Sequence, residues 1–406
     1  MRIKQFEEEI IGYRQELHKY PELEYQEFRT QRFIADTLTA HGIKCNTEIY
    51  KTAVVADIVG ANGSAVDNGT VDTKGKKCNG QMVALRADMD ALAMTESVDA
   101  NPRSLNAGVM HSCGHDVHMA SLLGAAIWLS KNKDKFTGTV RIVFQPAEED
   151  GMEGGAKGLI EAGVMKGVSA IFGLHVWTGM AHGTVGICEG KAMASSDDFR
   201  LTITGKGGHI AKPTEGNNTI YPAAEFASNL NWVQSQRTKA DDEVVIGLAY
   251  LRAGTTANNV IPQVAELGGS IRCFNESTRV KIKEEMTLLA KTIAEKYGVK
   301  CDYSHTHGYG PTINDLQAAE FYRKSCAKVE GVNTVTIPSS VMGAEDIGAY
   351  FKHAKGAMAW IGATKDEKSS YNIHHPSFFC HDETVLLCAE IYLQVALDFL
   401  EKGEWE

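Results

Sequence analysis

The 406-residue sequence has no apolar stretch long enough to cross a bilayer. A span needs roughly 20 apolar residues in a row, and the longest runs, such as that around Leu122 to Leu129, stop far short. Basic excess is missing too: 41 Lys and Arg stand against 51 Asp and Glu, a net charge of -10. Nucleic-acid binding needs a basic face to neutralise phosphates, so the charge argues against that class. The opening MRIKQFEEEIIGYRQELHKYPEL scatters charge along its length and lacks the apolar core and small-residue cleavage site of a secretory signal. A cytoplasmic protein without membrane attachment, acting on small molecules, is therefore expected. The nine cysteines are odd in number and lack the spacing of a disulfide framework or a paired Cys-x-x-Cys zinc site. Most are expected to be reduced and buried.

What is present is an ordinary globular balance, 43% apolar and 23% charged, in a chain longer than one core usually grows. Two domains are expected. The stretch from Gly60 to Gly80 is rich in Gly, Asn, Asp, Ser and Thr and reads as an exposed loop. After it QMVALRAD, TVRIVFQPAEE and AIFGLHVW read as strands, with MASLLGAAIWLSKN as a helix between them. That alternation indicates an α/β domain with a parallel-rich sheet covered on both faces. From about Ser196 the rhythm changes: DFRLTITG, EVVIGLAYLRAG and AELGGSIRCF alternate as strands, and TIYPAAEFASNLNWVQSQ reads as a helix. Ile282, Met286, Leu289 and Ile293 share one face of a further helix that Gly298 would stop before the strand VKCDYSH. The order βαββαβ predicts a ferredoxin-like unit. The helix and strand rhythm resumes after Gly310, so residues 194–307 read as an insert between 1–193 and 308–406 of the larger domain.

The chemistry lies in where acids, histidines and one cysteine fall. Asp88, Asp90, Glu148, Glu149 and His175 are each expected at the carboxyl end of a strand, the edge that forms the ligand crevice of an open parallel sheet. HSCGHDVH adds Cys113, His115 and His118 where the next helix begins. Thiolate, imidazole and carboxylate together favour zinc, manganese, cobalt or nickel over magnesium or calcium. A strand-end acid is often only a helix cap and a buried Cys or His only packing, so the joint placement carries the reading. His118, one turn along an apolar helix from His115, is left out as a core histidine, and His111, His305 and His307 are set aside. Glu148 and Glu149 are neighbours in a segment that reads as extended, so one could hold metal while the other faces substrate.

The segments LHKYPELEYQEFRT, LRADMDALAM, GVMHSCGHDVHMA, FQPAEEDGMEGGAKGLIEAG, GLHVW, GKGGHIAKP, NNVIP, GSIRCF, GAEDIGAYF and IHHP run nearly end to end. Together they resemble the M20 metallopeptidases, within them the amidohydrolase branch of hippurate hydrolases, auxin-conjugate hydrolases and N-acyl amino acid deacylases. The resemblance implies two divalent transition-metal ions per subunit, with Cys113 as bridging thiolate and His115, Glu149, His175 and His374 completing the set. His374 is preferred to His375 because the family's ligand lies two residues before the proline, here Pro376. Asp90 would orient a ligand and tune its basicity, whereas Asp88 could equally be structural. Glu148 is implied as the general base that takes a proton from the attacking water and passes it to the departing amine. His209, supported by Asn259, is implied as donor to the tetrahedral oxyanion. In dimeric members that histidine reaches across from the partner subunit, so a homodimer is implied, the insert acting as lid and dimerisation domain. Arg272 is suited to a substrate carboxylate, or equally to a surface strand. Thr214 after Pro213 and Thr178 after the HVW run depart from the branch pattern and touch pocket shape, not the metal set. The expected reaction is hydrolysis of an N-acyl amino acid. A dipeptidase or carboxypeptidase of the same family is the runner-up, and a catalytically silent metal-binding relative a further alternative.

Overall fold

The computed structural model describes residues 1–61, 81–97, 102–237, 242–402 and 405. The loop expected over Gly60 to Gly80 therefore lies, from residue 62 onward, outside the described residues. The chain divides into two compact units, one of Met1–Ala192, Ile313–Ser339 and Asp346–Glu406, the other of Met193–Thr312 and Ser340–Glu345. No helix among the described residues is long and apolar enough to cross a membrane.

The first unit is built on an eight-stranded mixed sheet. Its strands lie in the order Cys45–Asn46, Val54–Val59, Thr139–Gln145, Met82–Asp88, Ala170–Ala181, Lys355–Thr364, Thr184–Gly186 and Thr334–Thr336. The central pairings, from Thr139–Gln145 across to Lys355–Thr364, are all parallel. Met82–Asp88 is buried at every position, as a central strand covered on both faces must be. The helix His115–Lys131 is buried on all sides through Leu129 and packs against Asp382–Lys402, also apolar around most of its circumference.

One difference from the sequence reading shapes the site. Ala170–Ala181 is longer than the segment AIFGLHVW, so His175 stands within the strand and not at its end. Its pairing with Met82–Asp88 nevertheless stops at Arg86↔Gly173, because the neighbouring strand finishes two residues on. By that register His175 lies level with Asp88, the last residue of its neighbour, at the edge where open α/β sheets bind ligands.

The second unit carries a four-stranded antiparallel sheet in the order Val244–Ala253, Val264–Cys273, Asp197–Thr204, Lys300–His307. Helices Ile220–Arg237 and Glu276–Tyr297 complete a strand–helix–strand–strand–helix–strand order. Phe199, Leu201 and Ile203 alternate inward and join Ile282, Met286 and Ile293 in a separate core. The Asn275 side chain accepts from Ser277 N to cap the second helix, and Gly298 ends it at φ +59°.

Candidate metal centre

The centre is assembled in the first unit around Cys113. Gly114 sits between Cys113 and His115 at φ +88°, and a Cβ there would lie 2.3 Å from Val176 Cγ2, so only glycine lets the loop turn into the helix this close to the sheet. Cys113 Sγ lies 3.2 Å from His175 Nε2, while His175 Nδ1 donates to Val176 O at 2.7 Å. His115 Nδ1 donates to the carbonyl of Asp90 at 2.8 Å. That leaves His115 Nε2 buried with no hydrogen-bond partner among the described residues, 3.9 Å from an oxygen of each of Glu148 and Glu149. An imidazole tied at one nitrogen and bare at the other is the arrangement of a metal ligand.

Glu148 and Glu149 arrive by a different route from the extended segment expected. The strand ends at Gln145, Ala147 takes up a left-handed φ of +55°, and the pair occupies a turn. Two buried carboxylates hold that turn. Glu27 accepts from Ala147 N at 2.9 Å, and Asp90 accepts from Glu148 N at 3.0 Å and Glu149 N at 2.8 Å. Backbone strain at a site requires such over-determination by its surroundings. Asp90 thus touches both parts of the cluster, through its carbonyl to His115 and its carboxylate to the glutamates. Sequence reasoning assigned no role to Glu27; it lies in the EYQE run, but nothing local signals that a lone acid after a turn becomes buried.

His374 has φ +62°, its amide donates to Ser112 O at 2.8 Å, and its Nε2 lies 3.3 Å from Glu149 Oε1. His375 turns elsewhere, stacking on Tyr371 with ring centroids 4.7 Å apart and accepting from Ser377 N. Both nitrogens of His118 are used within the protein, Nδ1 against Asp88 Oδ1 at 2.6 Å and Nε2 accepting from Val176 N at 3.0 Å. It props the strand beside His175 and leaves no lone pair for an ion. Asp88 also pairs with Arg86, whose guanidinium continues to Gln145 and Asp346 in a buried network.

Cys113, His115 and His175 form one group of donor atoms within 4.8 Å of one another, and Cys113, Glu149 and His374 form another. The two share the thiol. Burial opposes charging His115, but Asp88, Asp90 and Glu149 outweigh it and lift its pKa to about 10. Burial first, then Glu149, Glu148 and Asp88, hold the Cys113 thiol well above its ordinary range. Burial, helped by His118, pushes His175 down to about 3. The acids therefore collect positive charge; a divalent cation held by them would satisfy them and would favour the thiolate form of Cys113.

In the second unit His209 and Asn259 are neighbours: Gly208–His209 pairs with Val260–Ile261, and Ile210 N donates to Asn259 O. Both are exposed. Arg272 is half-buried on Val264–Cys273, on the sheet face opposite the core residues Ile271 and Cys273.

Residues 84–398 match the model of peptidase family M20/M25/M40. The chain is 36% identical to thermostable carboxypeptidase 1 of Saccharolobus solfataricus over 98% of each chain. It is 34% identical to N-acetylcysteine deacetylase of Bacillus subtilis, again over 98% of each. The crystal structure of Bacillus subtilis YXEP, described as a dinuclear metal binding peptidase from the M20 family, superposes with a TM-score of 0.80 at 31% identity, covering 98% of this chain and 99% of that one.

Proposed function

Because the chain belongs to the M20 family and is a metal-dependent hydrolase of that type, we propose that it cleaves the amide bond of N-acyl amino acids. The observation that carries the proposal is the pair of donor groups sharing Cys113, with Glu148 beside them. The residues fit two divalent ions: a shared thiol, imidazoles, a carboxylate, and the buried bare His115 Nε2. Cys113, His115, Glu149, His175 and His374 would hold zinc, manganese, cobalt or nickel. Such ions lower the pKa of a water and polarise the amide carbonyl. Glu148 accepts the proton as the oxygen of water attacks the carbonyl carbon, and delivers it to the nitrogen when the C–N bond breaks. His209 and Asn259 would donate to the tetrahedral oxyanion, and Arg272 to the substrate carboxylate. Asp90 keeps His115 and both glutamate amides in place.

A homodimer acting in the cytoplasm belongs to the same reading. Its support is the edge strand Val244–Ala253, which leaves Val245, Leu248 and Leu251 exposed. The carboxypeptidase named in Saccharolobus solfataricus favours a second substrate class, peptides with a free amino group. The test is turnover of N-acetyl and N-benzoyl amino acids against the matching dipeptides, with each of the four metals. Faster hydrolysis of the acylated series supports the proposal; faster hydrolysis of the dipeptides moves the enzyme to the peptidase class.

A further inference from the structure

In the second unit His305 and His307 lie two residues apart on Lys300–His307 and so project to one face. The register sets His307 directly opposite Asp197 on the neighbouring strand. The ring centroids of the two histidines are 4.7 Å apart. His305 Nε2 lies 3.4 Å from Asp197 Oδ2, and His307 Nδ1 lies 3.4 Å from Asp197 Oδ1. One donor atom from each residue falls within 4.8 Å of the others. The His305 side chain is only 1% exposed, yet its Nε2 has no hydrogen-bond partner among the described residues. Its Nδ1 is 3.1 Å from the Tyr303 hydroxyl, the outer hydrogen bond that orients a ligating imidazole.

We propose that His305, His307 and Asp197 form a further transition-metal site, for an imidazole-preferring divalent ion such as nickel or zinc. The donor set is two imidazoles and one carboxylate, and His307, 35% exposed, leaves the remaining positions open to water. Burial works against ionising Asp197, but the facing His305 ring and the Arg279 guanidinium hold its pKa down at about 2. Burial, opposed by Asp197, keeps His307 below the usual imidazole range, so its imidazole faces the carboxylate as a neutral donor. Arg279 sets the strength of the site. Its Nε reaches both carboxylate oxygens, and Oδ1 also takes Arg279 Nη2 and Gly308 N. Oδ2 accepts from Arg279 Nε and faces His305 Nε2 with a remaining lone pair. The guanidinium cancels much of the charge, so the ion here is held more weakly than in the Cys113 cluster.

The experiment is equilibrium dialysis of the full chain against nickel and zinc, with metal content read by mass spectrometry. Wild type should bind one equivalent more than a His305→Ala/His307→Ala variant, however many ions the Cys113 cluster takes, so the result stands apart from the catalytic proposal. Tyr303→Phe should weaken this equivalent about tenfold. His307→Asn, a change at a partly exposed side chain, should lose it with an unchanged circular-dichroism spectrum. Equal stoichiometry in wild type and the double variant, or full retention in His307→Asn, overturns the site.

Discussion

Two clusters of acids and histidines occupy the two units, and they solve the same electrostatic problem differently. Around Cys113 the acids Asp90, Glu148 and Glu149 are fixed by, or fix, backbone amides, and a bare His115 nitrogen points among them. Around Asp197 the single acid is already satisfied by Arg279 and by Gly308 N. Donor types alone therefore do not rank sites. What ranks them is how much negative charge is left once the protein's own cations are counted, and only the first cluster leaves a large excess.

The sharpest division lies within the first cluster. Glu148→Gln should lower kcat by roughly 10²- to 10⁴-fold, the usual worth of a general base, while metal content stays at the wild-type level. Glu149→Gln should lose metal. The reverse pattern, read by metal analysis alongside kinetics, would exchange their roles.

Removing the guanidinium that distinguishes the second cluster should be the next largest effect. Arg279→Ala leaves the buried Asp197 carboxylate without its partner, costing about 3 kcal/mol. It should also tighten metal binding at His305 and His307. Urea unfolding and dialysis check the two halves of this expectation.

Glu27→Ala should cost about 2 kcal/mol by removing the buried carboxylate that accepts from Ala147 N, and should lower kcat more than it raises KM, since the turn bearing Glu148 loses its anchor. A stability loss with unchanged kcat would make Glu27 purely structural.

The smallest effect is in pH. The Asp197 carboxyl is depressed from its ordinary 3.8 to about 2 in the folded state. Its contribution is therefore fully present above the ordinary value and is lost as pH falls through the folded one. Wild-type urea midpoints should drop more steeply on acidification across that window than those of Asp197→Asn.

Much of the first cluster was legible because thiol, imidazole and paired acids are chemically conspicuous, and because alternation of strands and helices marks a crevice edge. The structure brings Cys113, His115, Glu149, His175 and His374 together. It also shows both His118 nitrogens spent on Asp88 and Val176. What escaped was geometry set over long sequence separations. Nothing near Glu148 announces the left-handed Ala147, because the carboxylate that holds it comes from Glu27, 120 residues earlier. His175 reads as a strand-end residue because the sequence shows where its strand loses polarity pattern, not where the neighbouring strand stops. His305 and His307 looked like ordinary strand residues, since only the register puts Asp197 opposite them.

The central claim is that the Cys113 sulfur belongs to both donor groups. Cobalt loading tests it most directly, because a thiolate ligand gives cobalt a near-ultraviolet sulfur-to-metal charge-transfer band. Wild type should take up two ions at the Cys113 cluster and show the band, and Cys113→Ser should lose the band together with part of the bound cobalt. A Cys113→Ser protein that keeps its full cobalt content, or a wild type that binds cobalt without the band, would contradict the shared thiolate.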